Sequence, residues 1–315
     1  MTVAPSIRSS RIFVLLNPGS GGCSVEEIQE VLGRHFPCDN GTCEVHYLAD
    51  GEDLTALVRE AIGRGANLII AAGGDGTVSA VASGLIGSEA RMGILPLGTA
   101  NVLARELGLP LDPEEGCRLL ASAGRQVTTD LDMMQIGDRH YFTQVGVGID
   151  ALMIRDTRRE DKKRFGRAAY LWTALTRLAG FQPRRFLVEV DGQKPRRFRA
   201  SEVLVANVGT LGQPPFRWGP DIRPDDGELT VCVIRARSAL DYLRVTLRIL
   251  RGDRQPDPHV RYLDARRRVG IAMVSKSRPL PVQADGEIIG ETPVEVVLVP
   301  GAVRVVVPPK GNESR

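Results

Sequence analysis

The chain has 315 residues, of which 43% are hydrophobic and 25% are charged, and its net charge is +3. This length and composition suit a globular protein of two domains with sizeable cores. The weak positive charge and the aromatic content of only 5% argue against a nucleic-acid-binding function. No apolar run is long enough to span a bilayer, and no secretory signal is visible.

The five cysteines are an odd number and form no CxxC pair. This pattern predicts reduced thiols in a cytoplasmic protein rather than a disulfide framework or a zinc site. A local bridge between Cys38 and Cys43 is the alternative interpretation.

The first third of the chain alternates apolar runs with amphipathic segments. Ser24 and Glu27 form an S-x-x-E capping box that predicts the start of the first helix. The run NLIIAA has the continuous hydrophobicity of a strand covered on both faces. The alternation predicts an α/β fold class, with a Rossmann-like parallel sheet that helices cover on both sides. Predicted strands cover residues 11–16, 43–48, 67–72 and 92–95, and predicted helices follow the capping box and cover residues 53–62, 77–85 and 100–107.

After about Thr129 strand-like runs dominate, separated by Gly-Asp, Asp-Gly and proline-containing turns. They predict a C-terminal, mostly antiparallel β domain at residues 130–300, after an α/β domain at residues 1–129. Predicted strands cover residues 131–136, 141–147, 186–190, 201–208, 229–234, 268–275, 280–284, 294–299 and 303–307. Two helices are predicted at residues 168–178 and 240–250.

Three glycine-containing loops follow three predicted strands of the α/β domain. The first, NPGSGG at residues 17–22, precedes a capped helix and is suited to an anion, although a plain tight turn explains it equally well. The second, GGDGT, places Asp75 among three glycines at the carboxyl end of a buried strand. The third, GILPLGTAN, supplies backbone, hydroxyl and amide groups at Gly98, Thr99 and Asn101.

These loops are expected to converge, because open α/β sheets bind ligands at the carboxyl ends of their strands. A carboxylate such as Asp75 is costly to bury without a metal, a proton or a hydrogen-bond donor as its partner. The alternative, a structural turn capped by Asp75, leaves the three glycines unexplained. The convergence therefore favours a nucleotide phosphate site.

At these motifs the sequence resembles the diacylglycerol kinase catalytic family, which includes bacterial lipid kinases, sphingosine kinases and ceramide kinases. The matching segments run in family order over nearly the whole chain: NPGSGG, AAGGDGTVSAVASGL, LPLGTANVLARELGLP, VGVGIDA, VANVGT, IRPDDGELTV and ADGE. The resemblance implies a two-domain fold of the NAD kinase and diacylglycerol kinase type, with ATP in the cleft between the domains. It also implies that the tail, residues 301–315, returns to the α/β domain.

The family's ligand contacts carry over to the matching residues of this sequence. The resemblance implies a Mg²⁺ site at the DDG turn, formed by the Asp226 side chain and the main-chain oxygens of Arg223 and Glu228. Phosphoryl transfer needs such a cation to neutralise charge on the phosphates. The implied nucleotide contacts are Asn17, Pro18, Gly19, Ser20, Gly21, Gly73, Gly74, Asp75, Gly76, Thr77, Val78, Ser79, Gly98, Thr99 and Asn101.

Two acids match positions that act as the catalytic base in different relatives. They are Glu287 in ADGE and Asp75 in GGDGT. Backbone amides and Mg²⁺ are expected to hold Asp75 ionised, which makes it a poor base, so Glu287 is the favoured base and Asp75 the alternative. Without the resemblance, DDG and DGE are interpreted as common hairpin turns.

Three positions depart from the pattern of many relatives. Val102 stands where they have an aspartate, Gly22 where some have a basic residue, and Ala49 near a position where some have threonine. Because of these departures, the metal and phosphate contacts of the relatives do not carry over to this sequence in every detail, whereas the core motifs are intact.

The resemblance implies a kinase that transfers the γ-phosphate of ATP to a lipid hydroxyl, with diacylglycerol or a related lipid as the acceptor. A ceramide or sphingoid-base kinase is the first alternative. An NAD kinase-like enzyme also carries GGDGT, but the DDGELTV and ADGE segments resemble lipid kinases instead. A non-catalytic nucleotide- or lipid-binding regulator is the remaining alternative, and the intact acids Asp75, Asp226 and Glu287 argue against it.

The expected partner is a lipid at the membrane surface, with no nucleic acid, and a homodimer is left open. Two basic sets suggest docking on anionic lipid at the inner face of the membrane. Residues 155–167 contain seven basic and three acidic side chains, and Arg237, Arg244, Arg248 and Arg251 follow helical spacing. Ordinary solvated helix faces are the alternative explanation.

Overall fold

The structure is a computed structural model that describes residues 11–20, 24–36, 41–122, 127–156, 183–210, 217–219, 221–236, 241, 244–245, 259–274 and 278–309. This part of the chain forms two compact units. The first contains the described residues up to Asp132 and from Gly301 onward, and the second contains those from Met133 to Pro300.

The elements of the first unit are β1 (Ile12–Leu16), a 3₁₀ turn (Pro18–Ser20), α1 (Val25–His35), β2 (Cys43–Tyr47), α2 (Leu54–Gly63), β3 (Leu68–Gly73), α3 (Asp75–Leu85), β4 (Arg91–Pro96), α4 (Val102–Glu106) and α5 (Pro113–Ala121). Two long strands, β5 (Val127–Ile136) and β16 (Val294–Val307), run across the boundaries between the units. The first unit is built on a parallel sheet with strand order β2–β1–β3–β4–β16.

Both faces of this parallel sheet are buried. Val14 and Leu16 of β1 belong to one core cluster with Ile28 and Leu32 of α1. Phe13, which alternates with them and therefore faces the other way, is only 3% exposed. The strand is thus covered on both sides, which is why its sequence is a continuous apolar run.

The second unit is a sandwich of two antiparallel sheets. Its further elements are β6 (Arg139–Tyr141), β7 (Gln144–Gly148), α6 (Ile149–Asp156), β8 (Arg184–Val190), β9 (Arg196–Ala200), β10 (Glu202–Ala206), β11 (Leu229–Ile234), β12 (Val260–Ala265), β13 (Arg268–Met273), β14 (Pro281–Ala284) and β15 (Glu287–Glu291). One sheet has the order β12–β11–β10–β7–β14–β15, and the other contains β13, β8 and β9 next to the first half of β16. One core cluster contains buried residues of both sheets, such as Val205 and Phe186.

This architecture confirms the predicted fold class, and the capping box is present: Ser24 Oγ accepts the Glu27 N–H, and Glu27 returns the bond to the Ser24 N–H. Helix α3 begins at Asp75 instead of at residue 77. Helix α4 begins only at Val102, because Asn101 has a left-handed backbone (φ 47°).

Two predictions in the β-rich part were wrong about where one strand ends and the next begins. The predicted strand at residues 141–147 is broken at 142–143, where two backbone N–H groups bind the side chain of Asp285. The two strands predicted at 294–299 and 303–307 are the single strand β16, in which Gly301 (φ 55°) lets the chain continue. Strands β9, β12 and β15 and helices α5 and α6 were not predicted.

Several other expectations fall outside the described residues. The predicted helix at 168–178 is not described, and of the helix at 240–250 only Asp241, Arg244 and Val245 are, all three helical. Of the two predicted basic sets, only Arg155 and Arg244 among the arginines lie in the described part. Within the described part, no helix combines the length and the apolar character needed to cross a bilayer.

Candidate active site

The loops after β1, β3 and β4 lie at one edge of the parallel sheet, because these strands are parallel neighbours. The Asn17 side chain connects the first loop to the second. Its Nδ2 donates to Thr77 Oγ1 at 3.0 Å, and its Oδ1 accepts the Gly19 N–H at 3.0 Å. The start of α3 and the NPGS turn are therefore held together by one amide.

Two glycines of the second loop meet the third loop or the helix that follows. A Cβ atom on Gly73 would lie 2.6 Å from both Cβ and Oγ1 of Thr77. A Cβ atom on Gly98 would lie 2.6 Å from the Gly74 Cα atom. Both positions exclude side chains, and at Gly98 the backbones of the second and third loops approach directly.

Asn101 organises the third loop. Its Oδ1 accepts the Gly98 N–H at 3.0 Å, and its Nδ2 donates to the Gly98 carbonyl at 2.7 Å. The residue is only 6% exposed. Asn101 is therefore an internal brace of the loop, whereas Thr99 and Ala100 are exposed and Gly98 is half-buried.

Asp75 lies in the first turn of α3. Its Oδ1 accepts the N–H of Leu103, in the first turn of α4, at 3.4 Å. The carboxylate thus lies at the N-terminal end of a second helix, whose partial positive charge favours it. This contact assigns Asp75 a bridging role between the GGDGT loop and the helix after the third loop.

The N-terminus of α3 is open to an anion. Its N-cap residue is Gly74, which supplies no side-chain cap, and Gly76 beside it is exposed. Backbone N–H groups at such a helix end are unsatisfied within the helix and attract phosphate. The arrangement is suited to binding a nucleotide phosphate between the second and third loops.

The remaining predicted nucleotide contacts differ in how accessible they are. Pro18 and Gly19 are exposed and Ser20 is half-buried. Val78 and Ser79 lie further along α3 and are 4% and 7% exposed. Gly21 lies outside the described residues.

The DDG turn of the second unit is shaped by Asp226. Its Oδ1 accepts the Glu228 N–H at 3.0 Å, across Gly227, whose φ is 71°. The Glu228 carboxylate is paired with Arg266, with Oε1 2.7 Å from Nε. Asp226 is thus held by the backbone of the turn itself, whereas the Glu228 carboxylate is paired with an arginine.

These donors fit Mg²⁺ in kind. A carboxylate and main-chain oxygens are hard ligands, and Mg²⁺ is held by few carboxylates and retains waters. Within the described residues no group of three or more His, Cys, Asp or Glu side chains is arranged to hold a metal. The DDG turn itself offers oxygen ligands of the kind that a partly hydrated Mg²⁺ takes.

Asp285 anchors the DGE turn. Its carboxylate accepts the backbone N–H groups of Phe142 at 3.0 Å, Thr143 at 2.9 Å and Gln144 at 3.2 Å, and the Thr143 hydroxyl at 2.5 Å. Its φ of 46° completes a tight turn with Gly286. Asp285 therefore fixes the position of its neighbour Glu287.

Glu287 is exposed and begins β15, the edge strand of its sheet. The buried phenol of Tyr141 lies near this turn. Burial raises the pKa of Tyr141, Arg139 lowers it, and the carboxylates of Asp285 and Glu287 raise it further. The raised pKa keeps the Tyr141 phenol in its neutral form.

A buried polar network lies behind the DGE turn. Gln283 Oε1 accepts the Gly286 N–H at 3.1 Å, and Gln283 Nε2 donates to Asp150 Oδ2 at 2.9 Å. The Asp150 N–H, at the start of α6, donates to Glu202 Oε2 at 2.9 Å. This chain of contacts ties the turn to α6 and to β10.

Glu202 is the unusual member of the network. Burial raises its pKa well above the ordinary value, and the nearby Asp150 carboxylate raises it further, while backbone N–H groups act in the opposite direction. Its Oε1 is buried and has no hydrogen-bond partner among the described residues. Gly148 makes room for it, because a Cβ atom there would lie 2.8 Å from Glu202 Oε2.

Sequence reasoning missed this network and the anchoring role of Asp285. A signal was present for both. Asp150 lies in the VGVGIDA segment, and Glu202 is a lone charge in the apolar run SEVLVANV, where a buried acid needs partners. Asp285 is the first acid of the ADGE segment.

A separate cleft of about 420 Å³ lies in the second unit. It is lined by residues such as Ile136, Val282, Ile289, Val294 and Val297. None of the predicted site residues lines it, and it lies at the end of the β14–β15 hairpin away from Glu287. We therefore assign it no role.

Two of the five cysteines have environments that exclude thiol chemistry. Cys117 and Cys232 are buried. Burial raises the pKa of Cys117 to about 12 and also raises the pKa of Cys232. Neither is a thiolate at neutral pH, so neither is a nucleophile.

Comparison with known families gives two matches that together span most of the chain. Residues 11–136 match the diacylglycerol kinase catalytic domain. Residues 143–307 match the YegS C-terminal NAD kinase beta sandwich-like domain. The first match contains the three glycine loops, and the second contains the DDG and DGE turns.

Two curated relatives are similar over most of their lengths. A diacylglycerol kinase of Bacillus subtilis is 27% identical over 307 residues, which cover 96% of this chain and 98% of the relative. A Pseudomonas aeruginosa protein named "probable lipid kinase YegS-like" is 31% identical over 266 residues, covering 81% of this chain and 82% of the relative.

Solved structures show the same fold. A diacylglycerol kinase structure from Bacillus anthracis has a TM-score of 0.75 and 22% identity, covering 98% of this chain and 99% of its own. An NAD kinase from Archaeoglobus fulgidus, in complex with ATP, has a TM-score of 0.52 and 15% identity, covering 94% and 92%. From the two domain matches and the relatives, we conclude that the chain belongs to the diacylglycerol kinase family.

Proposed function

We propose that this protein is a lipid kinase that transfers the γ-phosphate of ATP to the hydroxyl of diacylglycerol or of a related lipid. The observation that carries the proposal is the meeting of three glycine loops at one edge of the parallel sheet. Gly98 packs on Gly74, and Asn17 bonds to Thr77. Such direct backbone approach is what a site for a chain of phosphates needs.

The nucleotide would be held mainly by backbone groups. The open N-terminus of α3, at Gly74 and Gly76, is suited to the phosphates, and the exposed Gly19 and Thr99 flank it on neighbouring loops. Asn17 and Asn101 would hold these loops in place through their amide bonds. The predicted contacts at Val78 and Ser79 would be less direct, because both side chains are buried.

Asp226 would be the side-chain ligand of Mg²⁺, with main-chain oxygens of Arg223 and Glu228. Bound Mg²⁺ would neutralise charge on the phosphates during transfer. The protein's own contribution is to hold the Asp226 carboxylate in a fixed direction, which the bond from the Glu228 N–H provides. The Glu228 carboxylate is paired with Arg266.

Glu287 would accept the proton of the lipid hydroxyl. Two features support it over Asp75. Glu287 is exposed to an incoming substrate, and its turn is braced by Asp285 and Gln283. Asp75 already accepts the Leu103 N–H in the first turn of α4.

The acceptor class rests on the relatives. The names of two relatives, diacylglycerol kinase and probable lipid kinase, state a lipid acceptor, and we extend this acceptor class to the chain as a proposal. A lipid acceptor requires the enzyme to visit the membrane surface, as a peripheral protein. Ceramide and sphingoid bases offer the same primary hydroxyl and remain the first alternative acceptors.

An acceptor panel tests the proposal. Purified protein, γ-labelled ATP and Mg²⁺ are incubated with detergent-dispersed diacylglycerol, phosphatidylglycerol, ceramide or sphingosine, and in parallel with NAD. The proposal expects label in the organic extract with at least one lipid and none in NAD. Label in NAD alone, or in no acceptor, would overturn it.

A further inference from the structure

A concentration of positive charge lies on the edge ribbon formed by β8 and β9. We call it the arginine ribbon, and its six basic side chains are all exposed: Arg184, Arg185, Lys194, Arg196, Arg197 and Arg199. Residues 184–199 contain these six cations and two acids, a net charge of +4, whereas the whole chain has +3. The rest of the protein is therefore close to neutral.

The two acids of this segment do not neutralise the ribbon. Glu189 is paired with Arg268 of the neighbouring strand, at 3.1 Å. The Asp191 carboxylate accepts the backbone N–H groups of Arg266 at 2.9 Å, Arg267 at 2.8 Å and Arg268 at 3.0 Å. Within the described residues, no acid forms an ion pair with any of the six cations.

The strand register places the arginines against each other. Arg185 lies opposite Arg199, and Leu187 lies opposite Arg197. The alternate pair, Phe186 and Phe198, faces the core, so Arg185, Arg197 and Arg199 share the outer face. Like charges directly opposite each other destabilise a strand pair.

The fold alone does not explain this arrangement. β9 is an edge strand, and edge strands are protected from pairing with other chains by charged side chains. Charges of both signs would give that protection without the repulsion between Arg185 and Arg199. An anionic partner, in contrast, gains from every arginine on the face.

We propose that the outer face of the arginine ribbon docks the protein on an anionic phospholipid surface. Basic residues near such a surface contribute roughly additively, and the arginine guanidinium matches phosphate in geometry. Nucleic acid fits less well, because Phe198, the aromatic of β9, faces the core and offers no stacking surface. This inference rests on the proposed lipid acceptor, which is located in a membrane.

Vesicle sedimentation tests the docking surface without ATP or an acceptor. The native protein should bind phosphatidylcholine vesicles that contain phosphatidylglycerol, more weakly as salt rises, and should not bind phosphatidylcholine alone. The triple variant Arg185→Ala, Arg197→Ala, Arg199→Ala should bind about a hundredfold more weakly. The control variant Arg34→Ala, Arg59→Ala, Arg118→Ala removes the same charge from exposed sites of the first unit and should bind like the native protein.

Two further measurements make the outcome unambiguous. Thermal unfolding of the triple variant should show a midpoint no lower than the native one, since like-charge repulsion has been removed. The kinase activity of the triple variant on detergent-dispersed lipid should equal that of the native protein. If the native protein itself has no kinase activity, the proposed function is refuted, whereas the vesicle-binding result still stands. Vesicle binding that is equal in the triple variant and the native protein, or equal with and without phosphatidylglycerol, would overturn the inference. It would also fall if duplex DNA displaced the vesicles by binding to the same three arginines.

Discussion

Gly98 packs directly on Gly74, so that a Cβ atom on Gly98 would lie 2.6 Å from the Gly74 Cα atom. The contact joins the loops after β3 and β4, and no flexible side chain is available to yield. Gly98→Ala should therefore separate the two loops, cost about 1–3 kcal/mol of unfolding free energy and weaken ATP binding. Isothermal titration with ATP and urea unfolding measure the two effects.

A control for that variant is Gly33→Ala in α1, where a Cβ atom would meet nothing within 4 Å. It should leave ATP binding unchanged and stabilise the protein by about 0.5–1 kcal/mol, because alanine favours the helix. If Gly98→Ala binds ATP as tightly as the native protein does, the contact between Gly98 and Gly74 is not needed for nucleotide binding.

Asp285 should be the most sensitive acid of the DGE turn for stability. Asp285→Ala leaves three backbone N–H groups without their acceptor and puts alanine at a φ of 46°, so the loss should reach at least about 3 kcal/mol. Asp285→Asn keeps one acceptor oxygen and tolerates the left-handed backbone, so its loss should be clearly smaller. Equal unfolding midpoints in urea for the two variants would contradict the anchoring role.

Glu202 gives a pH-dependent prediction. Its pKa is raised in the folded protein, so the folded state binds the proton more tightly than the unfolded state. Its contribution to stability is fully present below about pH 4.5, the ordinary glutamate value, and is lost as pH rises through the folded pKa. Glu202→Gln stays neutral and keeps an acceptor for the Asp150 N–H.

The advantage of Glu202→Gln over the native protein should therefore grow from about pH 4.5 upward, by at most about 1.4 kcal/mol per pH unit, and then level off. Urea unfolding across the pH range measures it. A difference between the two proteins that does not change with pH would mean that Glu202 is not protonated in the folded state.

Asp226→Ala should raise the Mg²⁺ concentration needed for half-maximal activity, because the DDG turn loses the carboxylate that its backbone holds in place. Asp225→Ala is the matched control, since Asp225 is the adjacent, exposed acid. Mg²⁺ titrations of turnover compare the two. Superimposable curves for Asp226→Ala and the native protein would remove Asp226 from the metal site.

Local patterns were enough to predict most elements of the first unit. The apolar run NLIIAA became β3, and the capping box at Ser24 became the start of α1. Exact boundaries depended on contacts that no local pattern contains. α4 starts late because the Asn101 side chain braces Gly98, and this requires a left-handed backbone at Asn101.

In the second unit the missing information was long-range. β9 has the sequence RRFRA, which looks like a solvated segment, and it forms a strand because Phe198 pairs with Phe186 in the core. The break between β6 and β7 depends on Asp285, more than 140 residues further along the chain. The sequence motifs identified the loops of the candidate site. The buried partners Gln283 and Glu202 became evident only in the three-dimensional structure.

Glu287→Gln tests the assignment of the base. Turnover should fall by about 10²–10⁴-fold, the usual contribution of a general base, while ATP affinity is retained. Glu291→Gln is the matched control, since Glu291 is an exposed acid on the same strand and should leave turnover near the native value. Near-normal turnover in Glu287→Gln, with turnover lost in Asp75→Asn at unchanged ATP affinity, would reverse the assignment.

Product identification tests the central claim most directly. The protein is incubated with ATP, Mg²⁺ and dispersed diacylglycerol, and the lipid extract and the nucleotides are analysed by mass spectrometry. The account predicts a lipid that is heavier by one phosphoryl group and an equal amount of ADP, with both absent when the lipid is omitted. ATP turned over to ADP with no phosphorylated lipid from any member of the acceptor panel would contradict it.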